Sequence, residues 1–234
     1  MNNSHPSRAR LRVAAAIFLL AAVTNLSGVF ISAPALNGSG SQALPEAAAN
    51  LSALRWSTVH DLGFAIVIGL VCLIAVTLPR GRGAVLVFVG AAIAVTANLF
   101  HAALVPIQLI QADMAERGLD AGQMAALYDR IDNDQWLGAT LLPLMLLFPL
   151  GLILLTLGLW RARFVPVWAV APALLATLVE MAHLPQAETI VQMLAPITSV
   201  IIATALLVRS RDRATDHASE PTLSRTPAEK ASVT

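Results

Sequence analysis

One cysteine, one tyrosine and one lysine are all that this chain of 234 residues has of those types, and charged residues of every kind make up only 12% of it. The lone Cys72 excludes an internal disulfide framework and a cysteine-based metal motif. It sits inside an apolar run and reads as a small buried side chain. A soluble domain carries about 25% charged residues, so the shortage of charge excludes an ordinary water-facing surface. Nothing basic enough for a nucleic-acid interface is present. No Gly-x-Ser-x-Gly, phosphate-loop or dinucleotide fingerprint occurs, and the serines lack an adjacent base. No internal repeat marks an inverted-repeat transporter. Of the 15 basic residues only Lys230 is a lysine, a skew that, with the many alanines, points to a GC-rich bacterial genome.

What is abundant is apolar surface, 57% of the residues, with a mean hydropathy of +0.72. It is concentrated in runs at 13–32, 57–78, 84–106, 137–159, 165–184 and 190–208. Each is about the ~20 residues that a membrane crossing needs. The expected fold is all-α: a six-helix transmembrane bundle over 13–208, a disordered N-terminus over 1–12 and a disordered tail over 209–234. The first run competes with a signal peptide, because Arg8, Arg10 and Arg12 precede it and Ala33-Pro34-Ala35 follows it. Its apolar character continues through Ile31, which favours a retained helix.

The arginines alternate between the connections. Arg8, Arg10 and Arg12, then Arg80 and Arg82, then Arg161 and Arg163, then Arg209, Arg211 and Arg213 fall on one side. The other side holds Arg55, Arg117 and Arg130, with six acidic residues in the long connection 107–135. The positive-inside rule puts both termini in the cytoplasm, as an even number of spans requires. The expected location is a bacterial inner membrane, with the lipid bilayer as the first partner. Trp56, Trp136, Trp160 and Trp168 lie at span ends, where amphipathic rings settle. No polybasic cluster is large enough to announce headgroup recognition.

Outside the spans, Asn37 to Ser41 reads as flexible, and Pro45-Glu46 predicts a short helix through Leu54. Asp120 with Gln123 reads as a capping box. Met124, Leu127, Tyr128 and Ile131 follow at helical spacing, predicting an amphipathic surface helix that packs as a lid over the bundle.

Polar groups inside spans are costly and face protein or water rather than lipid. Here they gather in the outer halves: Asn25 in the first span, His60 and Asp61 in the second, Asn98 and His101 in the third, Glu180 and His183 in the fifth, Gln192 in the sixth. Each shares a helical face with small residues such as Ala21, Ala65, Ala97, Ala176 and Ser199, and small residues mark helix–helix seams. These eight positions form the expected ligand pocket, opening outward and closed below by apolar inner halves. The leading expectation is a non-enzymatic protein that binds a small molecule or a partner there, or a structural polar network. Glu180-x-x-His183 has di-metal spacing. With His60, Asp61 and His101 it makes a zinc-type alternative, a metal-dependent membrane enzyme. Haem between His60 and His101 is disfavoured for want of a second histidine pair, and no cofactor is expected. A proton-coupled solute pathway through Asp61 and Glu180 is a second alternative, weakened by the apolar inner halves.

The segments Ala121-Gly122-Gln123-Met124-Ala125-Ala126-Leu127, Leu147-Phe148-Pro149-Leu150-Gly151, Leu157-Gly158-Leu159-Trp160-Arg161 and Phe164-Val165-Pro166 with Trp168 resemble bacterial six-helix integral membrane proteins of an uncharacterised family, a domain of unknown function. The resemblance covers about residues 57–185. It implies six helices in a bacterial inner membrane and no reaction, and none of the pocket residues belongs to a pattern that it supplies.

Overall fold

The computed structural model describes residues 6–31, 39–116, 120–181 and 187–219, and every regular element among them is helical. The described residues form eight α-helices: α1 (Arg8–Ile31), α2 (Gly40–Ala49), α3 (Leu51–Val76), α4 (Ala84–Glu116), α5 (Ala121–Asp132), α6 (Gln135–Arg161), α7 (Ala171–Met181) and α8 (Ala187–Ser219). Short 3-10 turns at Gly81–Gly83 and Val167–Val170 lead into α4 and α7. Among the described residues four stretches are long and apolar enough to cross a membrane: Arg8–Ile31, Leu51–Val76, Gly81–Leu99 and Met193–Asp212. The described apolar stretches of α6 and of the turn leading into α7 are shorter, Leu146–Arg161 and Val167–Val179.

The long helices form a closed ring in chain order. α1 packs on α3, α3 on α4, α4 on α6, α6 on α7, α7 on α8 and α8 back on α1. Glycine decides how closely α4 and α6 approach. Gly83, at the end of the turn leading into α4, and Gly90 on α4 meet Gly151 and Gly158 on α6, and a Cβ at any of the four would strike backbone of the facing segment. The seven-residue spacing in each pair holds the glycines on one stripe, so two backbones can touch along two turns.

One half of the ring is filled by a single apolar core. Leu11, Phe18, Leu78, Leu155, Leu159, Ile202 and Leu206 are almost completely buried in it, drawn from α1, the turn just after α3, α6 and α8. The connection after α3 and the connection after α6 meet at this end, where Gly83 faces Ala162. The Arg8 Nε donates to the Ser210 carbonyl at 3.2 Å, tying the start of α1 to the end of α8. Arg209 lies over the Phe164 ring, 5.1 Å from its centroid, tying α8 to the connection after α6. α6 ends in two bonds, Phe164 N–H to Leu159 O at 2.8 Å and Arg163 N–H to Trp160 O at 2.7 Å. That is the Schellman pattern, with Arg163 at φ 61° in the left-handed position that glycine usually fills.

The opposite end carries a cap of helices. α4 has 33 residues and is therefore roughly 50 Å long, well over the ~30 Å of a hydrocarbon core. Its last turns pack Ala112 and Ala115 against Ala47, Leu51 and Leu54. α2 also lies on α5, where Ala43, Leu44 and Tyr128 bury together with Met114 and Met124 at the edge. Gly40 makes that crossing possible: its N–H donates to Asp129 Oδ1 at 2.6 Å, and a Cβ there would overlap the Ala125 backbone. Arg55 and Glu116 pair at 2.5 Å on the exposed side of the same cap.

Several boundaries differ from those read in the sequence. α1 begins at Arg8, not 13, because Ser7 caps it: Ser7 Oγ accepts from Arg10 N–H and Ser7 O from Leu11 N–H. α8 runs to Ser219, past the 209 where a disordered tail was expected. Between Arg209 and Pro221 there is no glycine or proline to stop it. The predicted helix from Pro45 to Leu54 is instead two helices that break at Asn50, with Pro45 inside α2. The third apolar run was ended at Pro106, yet α4 continues to Glu116, its far turns held by the cap contacts. α5 forms where predicted, with Asp120 Oδ1 accepting from Gly122 and Gln123 N–H at 2.9 and 3.2 Å. Of its stripe, Tyr128 is buried against α2, whereas Leu127 is exposed.

Candidate polar site at the capped end of the bundle

Four of the eight expected pocket residues have described side chains: Asn25, His60, Asp61 and Asn98. Those of His101, Glu180 and Gln192 lie outside the described residues, although their backbones are helical, and His183 lies wholly outside. The four are not in one arrangement. Asn25 Nδ2 donates back to Ala21 O on its own helix at 3.2 Å. The other three link helices.

His60 sits on α3 facing α1, and its Nε2 lies 2.8 Å from Thr24 O. A carbonyl only accepts, so Nε2 carries the hydrogen and Nδ1 is the ring atom left to take or release a proton. Nδ1 faces Asp61 Oδ1 at 3.7 Å, too long for a hydrogen bond. Asp61 turns toward α4, where Gln108 Nε2 donates to its Oδ2 at 2.7 Å. Both His60 and Asp61 side chains are 16% exposed. Asn98 Nδ2 donates to Ala65 O at 2.8 Å, a second bond between α4 and α3. Thr24 O, His60, Asp61 and Gln108 thus bridge three neighbouring helices.

Two atoms in this region have no partner among the described residues. Asn98 Oδ1 and Gln108 Oε1 are buried acceptors without a hydrogen bond, and Asn98 as a whole is only 6% exposed. Exchanging amide oxygen for nitrogen repairs neither. The atom facing Ala65 O and the atom facing Asp61 must both be donors. An unsatisfied buried polar atom costs ~1–3 kcal/mol, so each marks a place where a further donor is stabilising.

Aromatic rings mark where this region meets the apolar core. Phe64, one turn along α3, stacks beside His60 with centroids 6.4 Å apart, and the Phe148 ring from α6 meets Phe64 edge-on at 5.9 Å. Below them the core is packed side chain against side chain. Among the described residues no group of three His, Cys, Asp or Glu stands close enough to hold a metal ion. Three of the five residues considered for a zinc-type site, His101, Glu180 and His183, are not in that set.

Gln108 and the Thr24 carbonyl are the members that sequence reasoning missed. Gln108 follows His101 by seven residues and so falls on the same helical face. Ending the third span at Pro106 put it in a loop. No residue pattern announces a carbonyl such as that of Thr24.

No family model, no curated protein and no solved structure matches this chain. Its membrane-protein character therefore rests on its own long apolar helices.

Proposed function

We propose that this is a six-span protein of a bacterial plasma membrane with both ends of the chain in the cytoplasm, and that its capped end binds a small polar solute. Support for the topology comes from the ring, in which α6 and the shorter α7 occupy places equivalent to the four long apolar helices. It comes also from the gathering of Arg8, Arg163 and Arg209 at one end. Non-enzymatic binding fits better than transport, because a solute route would have to pass Phe64, Phe148 and the packed core beneath them.

The observation that carries the ligand reading is the pair of orphan acceptors, Asn98 Oδ1 and Gln108 Oε1, beside the Asp61 carboxylate. Such a site offers acceptors and a negative charge. It suits a solute that brings donors, an amine or a polyol, and rejects an anion. Thermal unfolding of purified protein in mild detergent tests this with methylammonium, glycerol and acetate as probes. Methylammonium or glycerol raises the midpoint of the parent protein, acetate does not, and Asn98→Leu and Gln108→Leu abolish the rise. An equal response to all three probes, or a rise that survives in both variants, removes the ligand reading and leaves a network that only joins helices.

A further inference from the structure

His60 Nδ1 and Asp61 Oδ1 face each other at 3.7 Å, and both are acceptors. The Thr24 carbonyl fixes the ring hydrogen on Nε2, so Nδ1 presents a lone pair. Gln108 Nε2 holds the other carboxylate oxygen, Oδ2, at 2.7 Å and leaves Oδ1 turned to the imidazole. A protonated ring would draw the carboxylate in to a charge-assisted bond of ~2.7–2.9 Å. The wider gap is that of two lone pairs, which repel unless a donor bridges them. Among the described residues no donor does.

The spacing selects the donor. A nitrogen ~2.8 Å from both atoms can donate to each along nearly straight bonds. That takes two hydrogens on one atom. An alcohol oxygen carries one and a quaternary ammonium none, whereas a primary ammonium carries three. Its charge also compensates the carboxylate, which a neutral donor would leave unpaired. Both side chains are 16% exposed, so neither is sealed off. Phe64, stacked beside His60, offers apolar surface to the carbon that bears the nitrogen.

We propose that the polar site binds a primary ammonium group, its nitrogen bridging His60 Nδ1 and Asp61 Oδ1, and that a proton on His60 competes with it. This rests on the solute reading above and narrows its amines and polyols to primary amines. A soluble amine fits better than an ethanolamine headgroup. The phosphate of such a headgroup adds acceptors to a region where Asn98 Oδ1 and Gln108 Oε1 already lack donors among the described residues. Around the imidazole, α1 presents the Thr24 carbonyl, α3 the Asp61 carboxylate and the Phe64 ring, and α4 the neutral Gln108 amide bound to Asp61. Asp61 is the charged group of this set. His101 shares the α4 face of Gln108 by helical spacing and supplies the control for a second titrating ring.

Purified protein in mild detergent, at constant ionic strength, is titrated with methylammonium, tetramethylammonium and glycerol, and its thermal midpoint is followed between pH 8 and pH 5. Methylammonium should raise the midpoint at pH 8 beyond the effect of equimolar sodium chloride, and tetramethylammonium should not. Its affinity should fall toward the acid side with a limiting slope of about tenfold per pH unit, as one competing proton requires. Asp61→Asn should weaken binding by more than about tenfold. His60→Gln puts an uncharged acceptor in place of the ring and should flatten the pH dependence, whereas His101→Gln should keep it; circular dichroism confirms the helicity of each variant. In nanodiscs, exchanging phosphatidylcholine for phosphatidylethanolamine should leave the affinity for methylammonium unchanged. A rise with glycerol alone overturns the ammonium proposal and leaves the solute reading standing, while no rise with any probe removes both. Equal effects of the two ammonium ions overturn the proposal, and so does a pH dependence that survives His60→Gln or binding that survives Asp61→Asn. Competition by phosphatidylethanolamine assigns the pair to a lipid headgroup and overturns the soluble-amine assignment.

Discussion

The seam between α4 and α6 yields the sharpest prediction. A Cβ added at Gly90 would overlap Leu155 N and stand 2.7 Å from Gly151 O and 2.9 Å from Leu154 C, where ordinary contact begins near 3.4 Å. All three are backbone atoms of α6, so no side chain can swing aside and the helices must part. Overpacking of this kind costs ~1–3 kcal/mol, and here parting also loosens Gly83, Gly151 and Gly158 along the same stripe. Alanine is intrinsically a better helix former than glycine by ~1 kcal/mol, which offsets part of the loss. Gly69 on α3 gives the matched control, because an added Cβ there meets nothing within 4 Å. Gly69→Ala should keep the whole propensity gain. Denaturant titration in mixed micelles, followed by circular dichroism, should therefore place Gly90→Ala below the parent and Gly69→Ala at or above it. The expected gap between the two is about 2 kcal/mol. Equal midpoints for the two variants would show that α4 and α6 do not meet at Gly90, and the ring order would fall with that contact.

Three further outcomes follow from other parts of the molecule. Arg163→Gly relieves the left-handed strain and should raise stability by about 1 kcal/mol in the same titration; a fall would mean that the arginine side chain contributes more than its backbone costs. Tyr128→Ala empties the cluster that joins α5 to α2. Trypsin should then cleave after the exposed Arg130 many times faster, with the helicity of the bundle unchanged, whereas an unchanged cleavage rate would place the cap contacts elsewhere. Arg55 and Glu116 are both more than half exposed, so a double-mutant cycle with alanine should give a coupling under ~1 kcal/mol that vanishes in high salt. A coupling several times larger would show a pair shielded from water.

The candidate site was only partly legible in the residues. The reason is visible in Asp61 and Gln108. Their helical faces could be read from spacing, but the bond between them depends on α4 continuing past Pro106, and only the packing of Ala112 and Ala115 against α2 and α3 keeps those turns in place. Asn25 has the same face pattern as Asp61 and yet turns back to its own helix, because a short amide can reach a carbonyl one turn away as easily as a neighbouring helix. Periodicity gives direction and not partner. The contact at the other end was less legible still. Phe164 and Arg209 are separated by a whole helical hairpin in sequence and meet only where α8 passes the turn after α6.

By itself the sequence determined that the chain is helical and seeks lipid, since too few charges remain to wet its surface and its apolar runs match the thickness of a bilayer. It placed Asn25, His60, Asp61 and Asn98 toward one end of their helices and Arg8, Arg163 and Arg209 toward the other, because residue order fixes height along each helix at ~1.5 Å per step. Tertiary structure alone decided which helices are neighbours, which carbonyl His60 finds, and which two amide oxygens are left without a donor. Those outcomes depend on rotation and separation of whole helices, and they are set by where glycines let backbones touch, a property of pairs of surfaces that no single run of residues contains.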